Sequence, residues 1–227
     1  MDALKLCVPH GRFRTLIGCI DGTCLAPISS REVKREPNII RWDQSLHEYP
    51  VAENRSARSV AVFAGSFNPP HLGHLSVLEY LSKVHRVVYV VIGVNPKKTY
   101  PVSGDERKAI VEAMLGDRCI ANVRVAVYGD LIWKFARSVG ARVLYRGIRT
   151  WNDDGPAEKH LEVQNRFWPV LLACALPRET RYVESAPKYA HISSTLLRER
   201  LGAGKPIDDL VPAGVAANVA AVYGRPM

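Results

Sequence analysis

The sequence predicts an α/β fold: a doubly wound parallel sheet of five strands with helices on both faces, preceded by a small β-rich extension at the N-terminus. Three observations carry that expectation. Strand-like runs alternate with helix-like ones from Ser59 onward, the pattern of βαβ units. One helix start is marked by a complete capping signature, Ser103-Gly-Asp-Glu106, in which the serine caps and the glutamate reaches back. The 227 residues, 47% hydrophobic and 23% charged, suffice for one full core with a remainder for an appendage.

In chain order, the apolar run Val60-Ala61-Val62-Phe63 opens the sheet. A helix is expected from about 73 to 84, a strand over 86–94, and the capped helix over 103–115. A strand at 123–127, a helix at 130–139 and a strand at 142–145 follow. A long helix within 157–176, a strand at 180–184 and helices at 193–201 and 215–222 complete the expected domain, residues 59–227. Residues 95–102 and 147–156 read as the conspicuous loops.

Residues 1–58 differ in character. The runs 15–20 and 23–26 flank Asp21-Gly22, a two-residue hairpin signal, because a type I′ turn needs φ > 0 at both positions. In that register Cys19 faces Cys24 in a non-hydrogen-bonded pair, where side chains approach most closely. A disulfide is geometrically conceivable there; two reduced thiols and a zinc site with Cys7 and His10 are the other readings, although the spacing matches no standard finger. Residues 38–42 offer a third strand, and 29–37 a solvated linker.

The formal net charge is +9, yet residues 1–60 hold 9 Lys and Arg against 7 Asp and Glu. Most of the surplus therefore lies in the larger domain, where it suits a polyanionic ligand such as a polyphosphate. No aromatic-and-basic motif points to a nucleic acid. No apolar run approaches the roughly 20 residues of a membrane span, and no secretory signal is legible at the N-terminus. Five cysteines form no secreted framework, so a cytoplasmic location is expected.

The first strand-to-helix crossover reads Ala-Gly-Ser-Phe-Asn-Pro-Pro-His-Leu-Gly-His, 64–74. Gly65 permits close backbone approach, and the helix start offers backbone N–H groups and partial positive charge to an anion. His71 in the turn and His74 just inside the helix can face one phosphate chain. As ordinary capping or surface histidines they would need no ligand. Two further segments converge on the same end of the sheet. Ser193, Ser194 and Thr195 open the helix after the fifth strand, and Arg146-Gly147-Ile148-Arg149 lies at the carboxyl end of the fourth. Arginines there can grip phosphate by paired hydrogen bonds, at the end where doubly wound sheets bind ligands.

Gly-Ser-Phe-Asn-Pro-Pro-His-Leu-Gly-His (65–74) with Ile-Ser-Ser-Thr-Leu-Leu-Arg (192–198) resembles the His-x-Gly-His and Ile-Ser-Ser-Thr-x-x-Arg signatures of the nucleotidyltransferase superfamily. Asn95-Pro96-Lys97-Lys98, Asp105-Glu106-Arg107, Tyr145 to Arg149 and Leu210-Val211-Pro212 extend the likeness, which is greatest to the phosphopantetheine adenylyltransferases. The resemblance implies a Rossmann-like domain that transfers AMP from ATP to 4′-phosphopantetheine, with Mg²⁺ accompanying the triphosphate and a homo-oligomeric assembly. It further implies that His74 contacts the α-phosphate, His71 the outer phosphates, and Lys98 bridges the two reacting phosphates. Ser66 and Arg146 would hold the acceptor phosphate. Gly65, Phe67, Gly147, Arg149, Ser193, Ser194, Thr195 and Arg198 would line the nucleotide, with Glu162 near its ribose. His71 and Asn68 stand where those enzymes usually carry Thr and Asp, and with Arg198 look more like the nicotinate mononucleotide adenylyltransferases. The Gly-x-Asp segment usual in the latter is missing after the fourth strand. A nucleotide-binding module without turnover is a reading of another class, yet His74, Lys98 and the arginines are all present.

Overall fold

The computed structural model describes residues 19–20, 23–24, 38–43, 59–94, 99–148 and 179–224. The chain divides into two units, Met1–Pro37 and Asn38–Met227. In the smaller unit, β1 (Cys19–Ile20) pairs antiparallel with β2 (Thr23–Cys24), and Cys19 lies opposite Cys24. This is the register that the Asp-Gly turn predicts.

The larger unit is built on a parallel sheet of six strands. They are β3 (Ile39–Ile40), β4 (Val60–Gly65), β5 (Val87–Gly93), β6 (Val123–Tyr128), β7 (Val143–Ile148) and β8 (Glu179–Glu184). Their spatial order is β3-β8-β7-β4-β5-β6. The expected count was five. The sixth strand is Ile39–Ile40, which pairs parallel with Tyr182 and Val183 at the β8 edge, while the Tyr182 amide donates to the Asn38 carbonyl at 2.9 Å. The unit boundary accordingly falls after Pro37, not at Ser59. Ile40 and Trp42 are half-buried against the main core, an apolar anchorage that a two-residue strand cannot announce in sequence.

Among the described residues, three α-helices connect strands, α1 (Leu72–Val84), α2 (Gly104–Asp117) and α3 (Ile132–Ser138), and two follow β8, α4 (Ser194–Gly202) and α5 (Ala213–Tyr223). The helix expected within 157–176 lies outside the described residues. Both sheet faces are covered, and β4 shows how. Ala61 and Phe63 point into a core with Val77, Leu78 and Leu81 of α1 and Val111 and Leu115 of α2; Val62 and Ala64 meet Ala136 of α3 on the other side. All four strand residues are buried, the two-sided burial that makes parallel strands continuously apolar. A further apolar cluster seats α4 and α5 on Leu75 of α1 and on Ile110 and Met114 of α2. Ser103 caps α2 as its sequence predicts: the Glu106 amide donates to Ser103 Oγ at 3.2 Å, and the Ser103 amide to Glu106 Oε2 at 3.0 Å. No described helix is long and apolar enough to cross a membrane.

The chain runs outward from β4 through β5 to β6, then returns to β7 on the opposite side of β4. The switch point lies between β4 and β7, and the crevice outside the carboxyl ends of these strands is where such sheets bind ligands.

Candidate active site

A cleft of about 150 Å³ opens at that switch point. His71, Gly73, His74 and Val77 form its α1 wall, Gly147 and Ile148 come from β7, and Ser185, Ile192, Ser193 and Ser194 close it from the β8–α4 side. The three sequence segments that were read together therefore do meet around one cavity.

His71 is the N-cap of α1 in extended conformation, and His74 is the third residue of the helix. This places the imidazoles one turn apart on the same side, with ring centroids 3.8 Å apart and planes tilted by 37°. The His71 amide donates to His74 Nδ1 at 3.3 Å. Gly73 between them keeps this contact loose, since a Cβ there would stand 3.0 Å from His71 Nδ1 and press on the ring. Burial pushes His74 down to about 4, and burial together with the neighbouring His74 holds His71 well below the ordinary histidine range. Both rings are neutral near pH 7. Because Nδ1 of a neutral His74 accepts a bond, its proton resides on Nε2, making that nitrogen a hydrogen-bond donor.

The loop after β4 supports this pair. Phe67 adopts φ +47°, a conformation that costs a bulky residue about 1–2 kcal/mol. Its buried ring packs edge-on to Phe63 at 5.6 Å between centroids and against His74 at 4.8 Å. Gly65 lies beneath it, where a Cβ would stand 3.0 Å from the Phe67 ring. Ser66 is exposed at the loop surface. Across the switch point, Arg146 reaches the Ala64 carbonyl at a long 3.5 Å, and Gly147 leaves room for the Phe63 ring, which a Cβ would approach to 3.2 Å.

The start of α4 divides its hydroxyls. Ser193 caps the helix by accepting from the Leu196 amide at 3.0 Å, while Ser194 Oγ donates to the Pro69 carbonyl at 2.7 Å and ties α4 to the histidine loop. Thr195 Oγ1 accepts from Arg198 at 3.2 Å, and Arg198 also donates to the Asn68 carbonyl. Arg198 thus braces the loop from outside, and neither Thr195 nor Arg198 lines the cleft. Lys98, Arg149 and Glu162 lie outside the described residues. Sequence reasoning missed Val77, Ile148, Ser185 and Ile192 as lining groups. Ser185 could have been found from the rule that strand carboxyl ends face the ligand; the apolar three carry no chemical signal.

A neutral imidazole donor at a helix N-terminus and a serine-capped helix line one switch-point crevice, an arrangement suited to an anionic ligand. Residues 62–200 match the cytidylyltransferase-like family, and the chain belongs to that family as an enzyme of the nucleotidyltransferase type. Within it, the chain is 32% identical over 167 residues to a protein named phosphopantetheine adenylyltransferase from Rubrobacter xylanophilus, covering 74% of this chain and 96% of the relative. Proteins of the same name from Synechococcus sp. (strain JA-2-3B'a(2-13)) and Micrococcus luteus are 36% and 35% identical, covering 69% and 68% of this chain and 92% and 93% of theirs. Among solved structures, a candidate nicotinate-nucleotide adenylyltransferase from Vibrio parahaemolyticus shares the fold, with a TM-score of 0.51 and 20% identity over 74% of this chain and 97% of that one.

Proposed function

We propose that this enzyme transfers AMP from ATP to 4′-phosphopantetheine, forming dephospho-coenzyme A and releasing pyrophosphate. The observation that carries this reading is that relatives 30–36% identical, each matched over more than nine-tenths of its length, bear that one name. The acceptor's phosphate oxygen attacks the α-phosphorus of ATP; the new P–O bond forms as the bond to the pyrophosphate oxygen breaks, and the electron pair leaves with pyrophosphate. No protein nucleophile is needed. Catalysis consists of alignment and of stabilising charge on the α-phosphate oxygens.

His74 suits the second task because its buried neutral ring offers an N–H donor at no cost of desolvating a charge. His71 and the N-terminus of α1 serve the outer phosphates, Ser66, Lys98 and Arg146 the acceptor phosphate, and Arg149 with the α4 serines the nucleotide. Mg²⁺ enters as part of the nucleotide substrate, held by phosphate oxygens and water. No described group of three His, Cys, Asp or Glu side chains is placed to cage an ion. A cytoplasmic location and homo-oligomeric assembly belong to the same proposal.

Nicotinate mononucleotide is the second acceptor reading, favoured by His71 and Asn68 in place of Thr and Asp. It keeps the phosphate contacts and changes the group behind them. Incubation with ATP, Mg²⁺ and 4′-phosphopantetheine should yield pyrophosphate and dephospho-coenzyme A in equal amounts by mass spectrometry. Product formed only with nicotinate mononucleotide would replace the first reading by the second.

A further inference from the structure

Arg107 lies on α2, within the described part of the chain yet outside the cleft, and its side chain has no exposed surface. Its guanidinium makes three contacts. Nη1 donates to the Ser66 carbonyl at 2.5 Å, Nε donates to the Ser103 carbonyl at 3.2 Å, and the group lies over the Tyr100 ring, 4.4 Å from its centroid. One buried cation thus joins the loop after β4 to the entry of α2. The Ser66 carbonyl that it holds belongs to the peptide unit immediately before Phe67, the residue at φ +47°. One residue beyond Phe67, the Asn68 carbonyl is held by Arg198, and Tyr223 donates to Asn68 Oδ1 at 2.8 Å.

A strained bulky residue persists only where its surroundings over-determine it. Here the carbonyls of the residue before Phe67 and of the residue after it are held by cations from two different helices, and the Phe67 ring so placed packs against His74. Releasing the Ser66 carbonyl frees the peptide to relax toward φ < 0, which withdraws the ring that backs the imidazole.

We infer that Arg107 is a positioning residue for His74, acting through the Ser66 carbonyl and the Phe67 ring. The inference rests on the role given to His74 in the proposed adenylyl transfer. Arg107→Met should lower kcat by about 10- to 100-fold, the scale of an ångström-sized misplacement, and Arg107→Lys, which keeps one donor for the carbonyl, should recover part of the loss. In a His74→Ala background, the added Arg107 substitution should change kcat by less than about twofold, because residues that act through one another are not additive. Losses that multiply, or a lysine variant no better than methionine, would overturn the inference. Where Arg107→Met fails to fold, the lysine variant completes the same cycle. NMR of ¹⁵N-histidine-labelled protein supplies a readout independent of the reaction: His74 should be protonated on Nε2 alone in the wild type and shift toward a tautomer mixture in the Arg107 variant. An unchanged ring contradicts the inference even if the acceptor assignment stands. Absence of turnover with every acceptor removes that assignment and leaves the NMR result to decide on Arg107.

Discussion

His85 caps the carboxyl end of α1 beside the amino ends of β4 and β5, at the opposite end of the sheet from the cleft. Ser59 Oγ is 2.6 Å from its Nδ1, and the Tyr145 hydroxyl is 2.9 Å from its Nε2. The ring is 8% exposed. Burial, aided by the charge of Arg181, pushes its pKa down to about 4. An unfolded histidine titrates near 6.5, so the folded state favours the neutral ring. Its contribution to stability is fully present above pH 6.5 and is lost as pH falls from there toward 4, where the unfolded chain binds a proton and the folded chain does not. At pH 5 the loss is about 2 kcal/mol. His85→Gln cannot titrate, and the other histidines are common to both proteins. Urea unfolding at pH 7.5 and pH 5.0 should therefore show a wild-type advantage that shrinks by about 2 kcal/mol on acidification. A constant gap, or one that widens, would refute the reasoning. Tyr145 immediately precedes Arg146, so this brace also fixes the strand that carries the arginine proposed to hold the acceptor phosphate.

Three further outcomes follow from the site. His74→Ala should lower kcat at least about a hundredfold while nucleotide affinity changes less, as expected of a donor acting on developing charge; with His74 already neutral, the wild-type rate should carry no limb from this residue between about pH 5.5 and 8. A limb there that vanishes in the alanine variant contradicts the neutral ring. Gly73→Ala drives a methyl group to 3.0 Å from His71 Nδ1, so steady-state kinetics should show the nucleotide KM raised by roughly tenfold, and an unchanged KM would set aside the role of His71. Truncation separates the two units: a chain beginning at Asn38 should keep turnover within about threefold, whereas one beginning at Ser59 loses β3 and the half-buried Ile40 and Trp42, costing about 2–3 kcal/mol of stability. Equal urea midpoints for the two chains would contradict the placement of β3 in the main sheet.

The layered sheet was legible because the buried strands β4 and β5 are short apolar runs, and two helix starts carry their own chemistry: Ser103 with Glu106 at α2 and Ser193 at α4. The convergence of His71, His74, Gly147, Ser193 and Ser194 was legible because a parallel sheet gathers all its strand-to-helix turns at one end. Three features were hidden for physical reasons. A strand at 38–42 is legible, but Ile39–Ile40 is too short to show which sheet it joins, and only its pairing with β8 places it in the main one. Arg198 sits in a signature as a ligand group, yet the nearest acceptor to its guanidinium is the Asn68 carbonyl, a backbone atom that no side-chain pattern reveals. Arg107 is legible only as part of the Asp105-Glu106-Arg107 stretch, with no role of its own; its burial depends on a contact across forty-one positions of sequence, and pattern carries no distance.

Acceptor choice tests the account most directly. In the proposed reading Lys98, Arg146 and Ser66 hold a terminal phosphate whatever lies behind it, and the sequence at the end of β7, Arg146-Gly147-Ile148-Arg149, supplies cations for a phosphate and no aromatic partner for a nicotinate ring. With purified full-length protein, ATP and Mg²⁺, kcat/KM for 4′-phosphopantetheine should exceed that for nicotinate mononucleotide by at least about tenfold. The converse preference would contradict the account and assign the site to the second acceptor.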